Sequence, residues 1–310
     1  MNAGVRTGSV QRRECQAIGI RVKRDAENTS GNPDLSRRDR GVPDPAAEAA
    51  EKGVLYHPWV DFTQPEPASW QPAADPPALR TGEVHLWRTQ LDVPAEQLPA
   101  LESVLSAAEL ARANRFLFEH DRRRFVAARA ALRSILGRCT GTDARAIEFS
   151  YSALGKPGFA GAWERIGIRF NLSHSHALAL IAVTRERAVG VDVEYLGRNV
   201  SHEAIAERFF SDRERRDLAS FALALRKRAF FDCWTRKEAF IKASGEGLFR
   251  GLTTFDVSLE PGAGARQLTV RNDPEDASRW KLLALEPALE FTGAVVVDGR
   301  LERLTCFEWT

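Results

Sequence analysis

Cysteine is scarce and scattered in this chain. Cys15, Cys139, Cys233 and Cys306 are the only four in 310 residues, and no two are spaced as a pair. A disulfide framework or a cysteine-built zinc site needs closer grouping, so reduced thiols are expected. Net charge is almost missing as well: 44 Lys and Arg stand against 42 Asp and Glu, a formal +2. Nucleic-acid binders carry a stronger basic excess or a basic stripe, so no nucleic-acid partner is expected. Long apolar runs are lacking too. The most apolar stretch, Ala177 to Val183, is far too short to span a bilayer. No apolar segment follows Arg12 and Arg13, as a secretory signal would require. The expectation is a cytoplasmic protein without a membrane partner.

What is present is enough apolar residue, 44% of the chain, to bury a sizeable core in one large domain or two small ones. Residues 1–82 read as a mostly disordered tail, rich in Pro, Asp, Arg and Ala without periodicity, unable to offset chain entropy by burial. The folded part begins with an alternating strand from Glu83 to Leu91. Helices follow around Ala95 to Leu105 and from Ser106, where Glu109 stands at capping-box spacing. RRFVAARAALRSILG reads as an amphipathic helix closed by Gly137. Two antiparallel strands, Ala177 to Thr184 and Ala188 to Tyr195, are expected to turn at Arg185 to Arg187. Helices through HEAIAERFF and RAFFDCWTRKEAFIKASG precede a strand-like remainder from Leu252 to Thr310. SAAELARANRFLFEH and SDRERRDLASFALAL both open on Ser-x-x-Glu and lead through basic and aromatic residues to a long helix ending at Gly, a weak internal repeat.

Four short stretches carry chemistry. Asp192 and Glu194 alternate in GVDVEYL, so both face one side of a strand while Val191 and Val193 turn to the core. Adjacent carboxylates repel unless a positive charge holds them, and a hard cation such as Mg2+ suits them; a solvated strand edge is the plainer alternative. Glu238 and Lys242 share one helical face, the spacing also of an ordinary surface ion pair. Phe230, Phe231, Trp234, Phe240 and Ile241 around them read as core. In FNLSHSHA, His174 and His176 suggest a metal, but no third ligand is spaced to complete a zinc site. Ser173, Ser175 and His174 suit a phosphate instead, and no GxSxG elbow surrounds either serine. Lys156 stands in the stiff turn GKPG, placed for a phosphate or simply solvated.

The order GKP, NLSHS, GVDVE and WTRKEAFIKASGEGL resembles the Sfp-type 4′-phosphopantetheinyl transferases, over about three quarters of the chain from Glu83 to Thr310. The resemblance implies an α/β fold of α+β type: two similar halves in pseudo-twofold arrangement with the active site between them. The halves would be residues 83–187, binding the coenzyme A nucleotide, and 188–310, carrying Mg2+ and the catalytic residues. It implies Asp192, Glu194 and Glu238 as ligands of Mg2+, with Mn2+ the alternative ion. Lys156, Ser173 and His174 would meet the adenosine 3′-phosphate end, with Arg112 and Arg124 also facing the nucleotide. Glu238 would be the base and Lys242 the stabiliser of the leaving phosphate. The partners implied are coenzyme A and apo acyl, peptidyl or aryl carrier proteins, and a monomer is expected. Two other classes stay open: another metal-dependent phosphoryl hydrolase, and a non-catalytic module binding coenzyme A or a carrier. The family has no counterpart of the tail, and His176 stands where relatives often have a small residue.

Overall fold

The computed structural model describes residues 69–72, 76–152, 155–245, 251–262, 264–266, 268–271 and 273–310. The disordered tail read from the sequence therefore lies outside the described residues up to residue 68. Its described end is packed: Trp70 lies under the Arg88 guanidinium, 4.9 Å from the ring centroid, and Leu79 is buried. Those two side chains supply apolar area that the average composition of the segment hides.

In chain order the strands are β1 (Gln71–Pro72), β2 (Glu83–Gln90), β3 (Phe149–Tyr151), β4 (Pro157–Phe159), β5 (Ile168–Ser175), β6 (Leu178–Arg185) and β7 (Val189–Tyr195). Then come β8 (Phe255–Val257), β9 (Gly264–Arg266), β10 (Leu268–Val270), β11 (Trp280–Leu285), β12 (Phe291–Asp298) and β13 (Arg303–Glu308). The α-helices are α1 (Leu98–Glu102), α2 (Ala107–Ala113), α3 (Glu119–Thr140), α4 (His202–Phe209), α5 (Asp212–Ser220), α6 (Leu223–Ser244) and α7 (Pro274–Arg279). None of the described helices is long and apolar enough to cross a membrane.

Two sheets form the body. The first has the order β1-β13-β2-β6-β5 and the second β7-β12-β11-β9. The C-terminal β13, far along in sequence, pairs parallel with β2 in the first sheet. One face of the first sheet meets the second: Val84, Leu86, Leu180 and Ala182 pack with Val189, Val191, Val193, Val295 and Val297. Its other face meets α3 through Trp87, Ile181 and Val183 against Leu132, Ile135 and Leu136. Val191 and Val193 point inward as their alternation predicts, which turns Gly190, Asp192 and Glu194 toward α6.

The hairpin expected between β6 and β7 does not form. β6 is bonded to β2 on one side and β5 on the other, so neither of its edges is open to β7. β7 pairs instead with β12, and residues 186–188 carry the chain from one sheet to the other. The real hairpin is β5–β6, turning at His176, whose φ of 52° is left-handed. Gly137 likewise does not end its helix. α3 runs on to Thr140 and closes at Gly141, φ 67°. Gly137 lies inside because a Cβ there would come within 2.8 Å of Thr142 O, where the returning chain crosses.

The internal repeat is real and stands on charge pairs. Ser106 and Ser211 each form a full capping box, with Glu109 and Glu214. Both glutamates are buried and bind a cation from the following 22-residue helix: Arg133 Nε to Glu109 at 2.6 Å, Lys237 Nζ to Glu214 at 2.7 Å. Each cation also lies over a phenylalanine of the next strand, Arg133 over Phe149 at 5.0 Å and Lys237 over Phe255 at 4.2 Å. Both helices stop at a left-handed glycine, Gly141 and Gly245.

Candidate active site

β5 is the edge of the first sheet and β7 the edge of the second, and side chains stitch the two edges together. Three alternate residues of β5 take part: Asn171, Ser173 and Ser175. Asn171 Oδ1 accepts the Val191 N–H at 2.9 Å. Ser173 Oγ donates to Asp192 Oδ1 at 2.8 Å. Ser175 Oγ accepts the Tyr195 N–H at 3.1 Å and donates to Glu194 Oε2 at 2.7 Å. A strand edge buried in the molecule must have its N–H groups satisfied, and here polar side chains do what a ladder would.

α6 lies across β7 on the Asp192 side. Glu238 and Lys242, one turn apart, face the strand together. Lys242 Nζ lies 2.6 Å from Asp192 Oδ1 and 3.0 Å from Ser173 Oγ. Lys156 Nζ, coming from the loop before β4, donates to Lys242 O. Asp192 Oδ2 and Glu238 Oε1 are buried and accept no hydrogen bond among the described residues. Three carboxyls thus converge with one lysine among them. Burial pushes the Glu238 carboxyl up to about 8; Lys242 opposes the rise, and Asp192 and Glu194 add to it. Burial and Asp192 also raise Glu194, against the pull of Arg198. For Lys242 burial opposes the charge, but Asp192 and Glu238 outweigh it and the amine is held above its ordinary value. Among the described residues no three of His, Cys, Asp and Glu enclose a metal-sized space. Asp192 is drawn onto Lys242 and Glu194 onto Arg198, whose guanidinium lies 2.7 Å away.

The other residues expected from sequence lie around this centre at differing distance. Ser173 is bracketed between Asp192 and Lys242, so its hydroxyl is already engaged. His174 points the other way from β5 and is exposed, yet its dense surroundings, Lys242 and Arg129 all lower its pKa. Arg124 is held by Asp92 through two bonds of 2.6 and 2.9 Å. Arg112 lies over the Phe125 ring at 5.4 Å. His176 stacks on Tyr195 with centroids 4.7 Å apart.

Sequence reasoning missed Asn171, Arg129 and Arg198. Asn171 had a signal, the polar alternation Asn171-Ser173-Ser175 along a strand. Arg129 had one too, a basic residue inside the apolar face of AARAAL. It is 6% exposed, lies 5.5 Å from each of the Phe125 and Tyr151 rings, and its Nη1 has no hydrogen-bond partner among the described residues. Arg198 had none.

Comparison with known proteins shows the family. The profile of the 4′-phosphopantetheinyl transferase superfamily matches residues 188–296, and that of the 4′-phosphopantetheinyl transferase N-terminal region matches residues 91–186. The 4′-phosphopantetheinyl transferase HetI of Nostoc sp. is 42% identical over 231 residues, covering 74% of this chain and 94% of that protein. A putative 4′-phosphopantetheinyl transferase of Synechocystis sp. is 31% identical, over 67% of this chain and 82% of that protein. The 4′-phosphopantetheinyl transferase Sfp of Bacillus subtilis is 32% identical, over 51% and 67% respectively. The two matched segments meet where the chain passes from one sheet to the other, with Asp192, Glu194, Glu238 and Lys242 all in the second, and the chain belongs to the 4′-phosphopantetheinyl transferase superfamily.

Proposed function

We infer that this chain transfers the 4′-phosphopantetheine arm of coenzyme A to a serine of an apo acyl, peptidyl or aryl carrier protein, releasing adenosine 3′,5′-bisphosphate. The observation that carries the residue assignment is the convergence of Asp192, Glu194, Glu238 and Lys242 where the two sheet edges meet. Asp192, Glu194 and Glu238 suit a hard divalent ion, Mg2+ or Mn2+. Their donors are all carboxylate oxygens, and two of these are buried without partners. When bound, such an ion neutralises charge on the pyrophosphate oxygens.

The chain's own groups supply the rest. Glu238 takes the proton of the carrier serine as its Oγ attacks the phosphorus that bears pantetheine. Burial raises its proton affinity, which strengthens it as a base once the carboxyl is ionised. The bond from that phosphorus to the bridging oxygen breaks, and the electron pair stays on the 5′-phosphate of the leaving nucleotide. Lys242, fixed by Asp192 and Ser173, stabilises that charge. Ser173 acts by orienting Asp192 and Lys242, while Lys156, His174, Arg112 and Arg124 face the nucleotide.

Intact-mass analysis of an apo carrier domain incubated with this protein, coenzyme A and Mg2+ tests the assignment. One added phosphopantetheine is expected, lost with a chelator and slowed about a hundredfold in Glu238→Gln. Coenzyme A binding without transfer to any carrier class would favour a binding module, and hydrolysis without a carrier a phosphoryl hydrolase.

Lys156 adds a pH signature. Burial, then Lys242, pushes its amine down from 10.5 to about 8. Above pH 8 the free protein therefore holds Lys156 neutral, and an anion on it must draw a proton back. Affinity for adenosine 3′,5′-bisphosphate is expected to be flat from about pH 7, above the second ionisation of its phosphates, to pH 8 and to fall above that, by up to about tenfold per unit. Calorimetry in buffers of different ionisation heat reads the proton uptake. A Lys156→Arg variant with the same fall would refute the assignment.

A further inference from the structure

Glu194 is held from two sides. Ser175 donates to Oε2, and one guanidinium nitrogen of Arg198 lies 2.8 Å from Oε1 and 2.7 Å from Oε2. The local chain is built for this contact. After β7 the backbone turns, with the Arg198 N–H on Tyr195 O at 3.3 Å and the Leu196 N–H on Glu290 O at 2.8 Å. The Tyr195 ring packs against bare Gly197, where a Cβ would lie 2.4 Å from the ring. The turn folds residue 198 back over residue 194, whereas a continuing strand would carry the two ~13 Å apart.

Asp192 carries a matching arrangement with Lys242, but the two cations differ in freedom. Lys242 projects from a 22-residue helix and is 16% exposed, whereas Arg198 projects from a turn and is 46% exposed. Arg198 can swing into water with the loss of little more than a half-exposed ion pair.

We propose that Arg198 is a positioning residue, a latch that holds Glu194 in the metal-free protein and yields it to the incoming divalent cation. This rests on the reading of Asp192, Glu194 and Glu238 as the ligands of that ion. Without a cation Glu194 faces Asp192 from a half-buried position, and Arg198 supplies the missing positive charge until the ion arrives. Ser175 stays bonded to Oε2 throughout, so the carboxylate remains aimed when the guanidinium leaves.

Direct Mn2+ titration of the full chain, following free Mn2+ by electron paramagnetic resonance, tests this without turnover. Arg198→Met is expected to bind Mn2+ about fivefold more tightly than the wild type. In a Glu194→Gln background the same substitution should change affinity by less than about twofold, because the latch acts through Glu194. No tightening overturns the proposal. So does equal tightening in both backgrounds, which would make Arg198 a contributor to the general field. Asp192→Asn reports on the underlying site: unchanged Mn2+ affinity in that variant removes the metal reading, and the latch with it.

Discussion

Lys237→Met is expected to destabilise the protein by about 3–5 kcal/mol, the range for removing one partner of a buried ion pair. Lys237 and Glu214 are both fully buried. The ammonium spends its donors on Glu214 Oε1 and Oε2, each at 2.7 Å, and on Phe255 O at 2.9 Å. The carboxylate in turn receives the Ser211 N–H at 2.8 Å and the Val257 N–H at 2.9 Å. One ion pair therefore ties α6 to the start of α5 and to β8. Methionine fills the volume but leaves an uncompensated carboxylate in the core. Since domains are stable by about 5–15 kcal/mol, much of the margin is lost. Urea unfolding measures it, and a loss below about 1 kcal/mol would mean that Glu214 finds water or another cation. The double variant Glu214→Gln/Lys237→Met separates charge from packing. It removes the orphaned charge and keeps a carbonyl acceptor for the backbone, so part of the stability should return.

That pair also shows what was readable in the sequence. The two Ser-x-x-Glu starts are local signals, and both capping boxes form where they stand. The period of strand and helix placed Asp192 with Glu194 and Glu238 with Lys242, because those pairings depend only on local geometry. What failed depended on distant chain. A hairpin at Arg185–Arg187 fits the local spacing, but β6 had already given both edges to β2 and β5. Gly137 looks like a helix stop; its reason is the crossing of Thr142. Asn171 is an ordinary polar strand residue until the N–H it must satisfy, 20 residues further on, is known. Arg198 meets Glu194 only because of the turn at Gly197. The conspicuous acids were legible, as were Lys242 and Ser173 beside them, but Asn171 and Arg198 were not, since their partners are set by the meeting of two sheet edges and by a turn.

Gly190→Ala is expected to damage both stability and transfer, because this glycine sets the distance between β7, which carries Asp192 and Glu194, and α6, which carries Glu238 and Lys242. A methyl there would lie 2.1 Å from Ala239 O, 2.4 Å from Ala243 N and 2.9 Å from Lys242 C. These are backbone atoms of a helix that is largely buried from Ala229 to Ala243, so no side-chain rotation relieves the clash. Strand and helix must separate, at a loss of about 3 kcal/mol or more. Asp192, two residues along on the same face, would move with the strand, while Glu238 and Lys242 move with the helix. The 2.6 Å contact between Lys242 and Asp192 would open. A displacement of about 1 Å at a reaction centre lowers rate by about a hundredfold, so transfer should fall by that factor even in molecules that remain folded. Gly141→Ala is the control. Its φ of 67° strains an alanine, but nothing lies within 4 Å of the added methyl. It should lose only about 1–2 kcal/mol and leave transfer unchanged. If Gly190→Ala proves no worse than Gly141→Ala in both urea unfolding and carrier modification, strand and helix have room to yield, and the spacing at Gly190 does not govern the site.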